Sequence, residues 1–487
     1  MAGRSVAGTD IADWDAIDVT KAIADKTVSC AEVMTAYLDR IERLNPVVNA
    51  IVSLRDREAI MADARRADEE IAAGRRRGPL HGLPQAIKDL APCKGFPNTL
   101  GSPIHANTMA ETDGIMVERM RAAGAIFIGK TNVPEFGLGS NTYNPVFGPT
   151  LNAYDQSRTA GGSSGGAAVA LALGMLPVAD GSDHGGSLRN PAAYNNVFGL
   201  RPSYGRVPGG TDEIFSTALG VSGPMARTVP DLALLLSVQA GYDPRIPTTI
   251  REDGSAFAKA LDTDVSGWRV GWLGDLGGQI ALEPGIRELC EAGLKALEGI
   301  GVKVEHAPLP DFPLEEMFQN WIRLRSAGFA AARRADYADP AKRALLKPEA
   351  QWEAEQGATV SALDFEASLR VRTAWYEAVR RLFDRYDILV LPTAQVFPFP
   401  KDVTWPRRIG EREMDTYHRW MQVVIPFTMA NLPAISVPVG FNEAGLPMGM
   451  QLAGRSGDEL SVLRIAHAYD QATQWVKRRR PGLLSGA

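Results

Sequence analysis

Gly161-Gly-Ser-Ser-Gly-Gly166, an Ala- and Leu-rich run to Gly174, the apolar Leu176–Ala179 and then Gly181-Ser-Asp-His-Gly-Gly-Ser-Leu-Arg189 follow one another without a break. Read from left to right, this is a glycine-rich loop, an apolar helix, a strand and a second glycine-rich loop. A flexible linker has no use for a buried helix and strand between its halves, so both loops are expected to be held against a core. The first loop puts two hydroxyls, Ser163 and Ser164, just ahead of a helix, where unpaired N–H groups favour an anion or an activated hydroxyl. The second sets Ser187 directly after Gly185-Gly186. Glycines there let backbone N–H groups turn into a cavity, as stabilisation of an oxyanion requires; losing one such donor costs about 2.7–4 kcal/mol in a transition state.

Working outward, short apolar runs alternate with helical patterns. Ala125-Ile-Phe-Ile-Gly129 follows the helix 116–123, Trp268–Leu273 and Val302–Glu305 flank the helix 285–299, and Tyr386–Leu391 follows the helix 364–384. Buried strands alternating with amphipathic helices predict an α/β fold, one large domain with a central mixed β-sheet covered by helices on both faces. Residues 1–75 read as an N-terminal helical segment packing on a core of 76–487. In that segment Ser29 and Glu32 form a capping box ahead of a helix expected to stop at Pro46, and a second helix covers Asp56–Ala73. The charged stretch 312–375 reads as a helical insertion on the core.

Bulk composition narrows the function. A formal net charge of −5 and a pI of about 5.8 give nothing that attracts a polyanion, so no nucleic acid is expected as a partner. The short basic runs Arg75–Arg77 and Lys477–Arg480 read as solvated helix ends or tail. Cys30, Cys93 and Cys290 are too few and too scattered for a disulfide framework or a zinc site, which predicts a reducing cytoplasm and no metal or cofactor. The polar, acidic Met1–Asp15 does not read as a secretory signal. The longest apolar stretch, Ala167–Ala179, is broken by Gly174 and Pro177 and is too short to span a bilayer, so no membrane is expected.

The run from Gly161 to Arg189 resembles the amidase signature, with Ser163 and Ser187 at that family's spacing of 24 positions. Four further blocks carry the resemblance over about residues 25–475. They are Gly82-Leu-Pro-Gln-Ala-Ile-Lys-Asp89, Gly129-Lys-Thr-Asn-Val-Pro-Glu-Phe136, Phe198-Gly-Leu-Arg-Pro-Ser203 and Leu432-Pro-Ala-Ile-Ser-Val-Pro438. The resemblance implies an amidase in which Ser187 attacks the carbonyl, Ser163 relays its proton and Lys88 accepts it. The backbone N–H groups of His184, Gly185, Gly186 and Ser187 would form the oxyanion hole, with Ser164, Asp183 and Arg189 holding the loop. It also implies a cis peptide at Gly162–Ser163 and a homodimer. The chemistry is consistent on its own terms, since a lysine serves as base only when neutral and burial lowers its pKa. Lys88 lies among Ala86, Ile87, Leu90 and Ala91. One departure stands out: His184 occupies a position that is usually Thr, Ile or Met in the family, and its side chain is expected to pack away or line the pocket.

Two other readings compete. Gly161–Gly165 and Gly162–Gly166 both satisfy Gly-x-Ser-x-Gly, so an α/β-hydrolase-type Ser-His-Asp esterase with His418 or His467 as base is conceivable from the motif. That reading leaves the Lys88 block unexplained. The other is an A-type subunit of a glutamyl-tRNA amidotransferase-like complex, a member of the same family. Such proteins carry an acidic residue about twelve positions before the Leu-Pro proline; here the position is Met421, within the apolar Trp420-Met-Gln-Val-Val-Ile-Pro-Phe427. On this ground a stand-alone amidase acting on a small-molecule amide and water fits better. The resemblance implies that Gly137, Leu138, Ile425 and Phe427 line the pocket, and their apolar character points to an aliphatic, aryl or cyclic amide or a carbamate.

Overall fold

The computed structural model describes residues 10–209, 213–215, 219–259 and 261–485; most of the polar N-terminal run falls outside them. Two sheets organise these residues. A small sheet comprises β1 (Ile51–Val52), β2 (Pro84–Lys88) and β3 (Ile126–Thr131) in the order β1-β3-β2, with β2 and β3 parallel and β1 antiparallel to β3. The large sheet has eight strands. In chain order they are β4 (Val178–Asp183), β5 (Phe198–Arg201), β6 (Val221–Ala226), β7 (Arg269–Trp272), β8 (Lys303–His306), β9 (Ile388–Pro392), β10 (Ala434–Phe441) and β11 (Pro447–Ala453). Their spatial order is β4-β6-β5-β10-β11-β9-β7-β8. From β4 to β9 every pairing is antiparallel, whereas β9-β7-β8 is parallel. The sheet is therefore mixed and flanked by helices, as the alternation in the sequence predicts.

The segment 1–75 is not helical throughout, because β1 joins the small sheet. Its first long helix, α1 (Cys30–Val48), starts with both hydrogen bonds of the Ser29–Glu32 box but runs through Pro46. In the last turn a proline removes one intrahelical bond at an end that frays anyway, so termination falls to Asn49, left-handed at φ 53°, whose N–H bonds to Asn45 O. The strand expected at 176–179 starts instead after Pro177 and continues through the polar Asp180–Asp183, because those side chains bond inward to the site. The signature helix α2 (Gly165–Ala172) is wholly buried, and glycine is required at its start. A Cβ on Gly166 would lie 2.4 Å from Asn132 N and 2.5 Å from Ala50 O, both backbone atoms that cannot swing aside. The short α3 (Arg189–Tyr194) follows the second loop.

The stretch 312–375 is a set of helices, chiefly α4 (Leu314–Ala332), α5 (Pro348–Ala358) and α6 (Ala362–Arg380). It does not stand apart from the core. Trp375 Nε1 donates to Pro426 O at 2.8 Å, and Lys347, at the start of α5, donates through Nζ to Leu138 O at 2.8 Å. No helix among the described residues is long and apolar enough to cross a membrane.

Candidate active site

The site forms where the small sheet meets the edge of the large one. β2 lies beside β4, fastened by Gln85 Nε2 to Val178 O at 3.0 Å and by the Lys88 N–H to the Asp180 carboxylate at 3.2 Å. Lys88 ends β2, and the next residues are pinned so that it cannot swing. Asp89 pairs with buried Lys130 at 3.4 Å and accepts from Thr99, and Lys130 Nζ donates to Ala91 O at 2.7 Å.

Lys88 Nζ lies 2.8 Å from both Ser163 Oγ and Ser164 Oγ, 2.9 Å from Ser182 Oγ and 3.2 Å from Ser182 O. It is 1% exposed. Burial away from water pushes its ammonium down to about 7, against the opposing pull of Asp180 and Asp183. Asp180, itself pushed up to about 6 by burial, is a weaker counter-charge than an exposed carboxylate. The peptide Gly162–Ser163 is cis, and Ser140 Oγ donates to the Gly162 carbonyl at 2.7 Å. Ser163 is 2% exposed and Ser187 7%. The strand carrying Ser182 and Asp183 thus leads from the lysine straight into the second glycine loop.

That loop is braced from below by Asp183. Its carboxylate accepts the N–H groups of Gly186 at 2.9 Å and Leu188 at 3.1 Å, and both Nε and a terminal nitrogen of Arg189 at 3.1 and 3.0 Å. Arg201 donates to its carbonyl at 2.6 Å. Burial alone would raise the carboxyl, but the two guanidinium groups outweigh it and hold Asp183 well below the usual carboxylate range. Arg189 continues to Val424 O, Gln451 Oε1 and Thr428 Oγ1, tying the loop to β11 and to the segment after Trp420. The Gly186 N–H, expected to face an oxyanion, is committed to Asp183 and fixes the loop. Among the described residues the N–H groups of His184, Gly185 and Ser187 donate to no protein acceptor.

The expected pocket residues do not all fall in one place. Gly137, left-handed at φ 73°, lies against the relay position, where an added Cβ would be 3.3 Å from Ser163 Oγ and 2.8 Å from Leu90. Leu138 is buried with Leu346 and Ala350 under the inserted helices. Ile425 approaches Gly185 to 3.5 Å of its would-be Cβ. Phe427 is fully buried in the main core. His184 has an imidazole pushed down to about 3 by removal from water and by the Arg325 and Arg201 charges, so it is neutral.

Sequence reasoning did not single out Ser182, Trp321, Lys347 or Glu353. Trp321, on α4, comes within 3.0 Å of the Cβ position of Gly185. Glu353, on α5, accepts from Arg325 and Ser326 at 2.5 Å, lies 2.9 Å from His418 Nε2 and also accepts from Tyr417. Ser182 was legible as a hydroxyl inside the motif. The others sit on helices whose charged, amphipathic pattern matches any helix that covers a core. His418, the alternative base, is occupied by Glu353, and His467 faces Asp262 at 3.1 Å; of these three groups, Lys88 is the one hydrogen-bonded to Ser163.

With this geometry in hand, likeness to known proteins can be read. The family model described as Amidase matches residues 32–463. The chain belongs to the amidase family. It is 35% identical to the A-type subunit of glutamyl-tRNA(Gln) amidotransferase from Carboxydothermus hydrogenoformans, over 95% of this chain and 98% of that one. Among solved structures it matches a bacterial aryl acylamidase of the amidase signature family with a TM-score of 0.89 and 29% identity, covering 97% of this chain and 99% of the other. The A-type subunit of the Thermotoga maritima glutamyl-tRNA(Gln) amidotransferase matches with a TM-score of 0.76 and 30% identity, over 95% of each chain.

These likenesses support an amidase-family enzyme acting on C–N bonds. The names of the sequence relatives favour the A-type subunit over a generic amidase, despite Met421. They also correct the expectation that nucleic acid is not among the partners: such relatives are subunits of an enzyme named for glutamyl-tRNA(Gln). The expectation rested on net charge, which sums over the whole surface and does not exclude a local contact or one made through a companion protein.

Proposed function

We propose that this chain cleaves an amide C–N bond by acyl transfer to Ser187, with Ser163 as relay and Lys88 as base. The observation that carries the reading is Lys88 Nζ, buried and 2.8 Å from Ser163 Oγ, with its pKa brought down to about 7. A neutral amine has a lone pair, so the Ser163 hydroxyl donates to it while accepting the proton of Ser187. The alkoxide of Ser187 adds to the carbonyl, and the free N–H groups of His184, Gly185 and Ser187 receive the oxyanion. The proton returns through Ser163 to the departing nitrogen, which leaves as ammonia or amine. Water then attacks the acyl ester by the same route and restores Ser187. The inserted helices 312–375 reach this site through Trp321 of α4, which packs on Gly185. Three free, buried cysteines suit a reducing cytoplasm.

The sequence relatives favour a narrower form of this activity, release of ammonia from a glutamine amide inside a multi-subunit tRNA amidotransferase. The uncharged wall of Trp321 and Ile425, together with the likeness to an aryl acylamidase, favours a second form, cleavage of an uncharged amide by the chain itself. One experiment separates them. The purified chain and its Ser187→Ala, Ser163→Ala and Lys88→Ala variants are assayed on glutamine, an aliphatic amide and an anilide, alone and with amidotransferase partner subunits. Activity on glutamine only with partners supports the subunit reading, and activity of the chain alone on the apolar amides supports the second. Unchanged turnover in Ser187→Ala and Lys88→Ala would sink the acyl-transfer reading itself.

A further inference from the structure

The wall that α4 and its neighbours raise beside Gly185 is aromatic but not apolar. Trp321 is fully buried, stacked on Phe318 with centroids 5.9 Å apart and 16° between planes, and met edge-on by His418 at 5.3 Å. Its Cζ2 is the atom that comes within 3.0 Å of the Gly185 Cβ position, and the indole nitrogen lies two bonds away on the same ring edge. That Nε1 has no hydrogen-bond partner among the described residues, nor has Nε2 of His184, whose ring centroid is 6.2 Å from the Trp321 ring. His184 turns its Nδ1 face toward Gly220. A buried donor without a partner is costly, and native proteins hold few of them. Two unmatched nitrogens on one wall, next to the loop of the nucleophile, mark a place where something else supplies the missing group.

We infer that Trp321 Nε1 and His184 Nε2 form a recognition site for a second carbonyl oxygen in the acyl part of an uncharged amide substrate. An indole N–H donates only, so the ligand atom is an acceptor, and the neutral His184 joins it as a donor in its Nε2–H tautomer. Ionic recognition is not on offer, because Arg325 is committed to Glu353 and its neighbour Tyr417. It is placed on the acyl side because the leaving nitrogen is proposed to face Ser163 of the first loop, whereas Trp321 packs on Gly185 of the second. This inference rests on acyl transfer at Ser187 for its kinetic test but not for its binding test.

The test compares 3-, 4- and 5-oxohexanamide with hexanamide, using wild type and Trp321→Phe, which keeps an aromatic ring on Gly185 and deletes the N–H. The ratio of kcat/KM, oxo-amide over hexanamide, is expected to favour one oxo isomer in wild type and to fall about tenfold in Trp321→Phe, mainly through KM. Calorimetry in a Ser187→Ala background is expected to show the same loss in affinity for that isomer. Equal losses on both substrates, or an unchanged ratio, would overturn the inference by making Trp321 a packing residue only. Should Trp321→Phe not fold, His184→Phe carries the same readout, and the same two outcomes decide it. If wild type turns over none of these amides, acyl transfer is what has failed, and Ser187→Ala calorimetry still decides recognition: no preference for any oxo isomer overturns it.

Discussion

The two flanks of the site are built on opposite principles. On the signature side, polar groups meet: Lys88 has four oxygen neighbours, Asp183 accepts from Gly186, Leu188 and Arg189, and Arg189 is spent on five acceptors. Facing it, Trp321 of the inserted α4 stacks on Phe318 and meets the rings of His184 and His418, and Trp321 Nε1, His184 Nε2 and His418 Nδ1 stay unmatched. A densely paired network restricts the geometry and is suited to holding reacting groups in register. A wall with unmet hydrogen-bonding groups is suited to discriminating among ligands. On the function proposed above, chemistry rests on the signature loops, and selection on the contact that α4 makes with His184 of the second loop.

The largest effect expected on the chemical flank is in catalysis. Ser187→Ala and Lys88→Ala should each lower kcat by about 10⁴-fold or more, measured on whichever amide wild type cleaves best, whereas a side chain of the aromatic wall should act mainly on KM. A wall variant that matched them in kcat would break the division. Next in size is Arg189→Ala. It leaves Arg201 as the one guanidinium beside the buried Asp183 carboxylate and should cost up to about 3–5 kcal/mol of stability, read from chemical denaturation. A loss within about 0.5 kcal/mol would mean that the network is not rigid. Gly166→Ala should cost roughly 1–3 kcal/mol or more by forcing a methyl group onto the backbone of Asn132 and Ala50. An added methyl on Gly139, 3.9 Å from the end of the Lys347 side chain, meets no such crowding; its cost is the left-handed backbone alone.

The smallest effect is a slope with pH. Lys88 is depressed to about 7 and acts when neutral, so log kcat/KM should rise about one unit per pH unit below 7 and level off above it. The sign follows from the lysine: protonation removes the lone pair, so activity is lost as pH falls. His184 is already neutral across this range and should add no second step. A profile falling with rising pH would point away from a lysine base.

Much of the catalytic flank was legible in the sequence because local chemistry writes it there. Gly185-Gly186-Ser187, the paired serines and a lysine among apolar neighbours are unusual combinations, and glycine at 161–166 leaves a trace that composition alone reveals. The extension of β4 through Asp180–Asp183 was not legible, since a polar strand has no apolar period. Nor was the commitment of the Gly186 N–H to Asp183, because a backbone donor carries no sequence signature. Trp321, Glu353 and Lys347 were hidden for a different reason: each lies on or beside a helix that would show the same pattern if it merely covered the core.

What the sequence by itself determined is the fold class, the family and the residues to which the proposed acyl transfer is assigned, because backbone conformation, apolar periodicity and nucleophile chemistry are short-range properties. What only the tertiary structure decided is which lysine loses its charge, which N–H groups remain free and which distant helix faces the nucleophile. Those depend on desolvation and on contacts between segments far apart in the chain, and neither is encoded in any one stretch of residues.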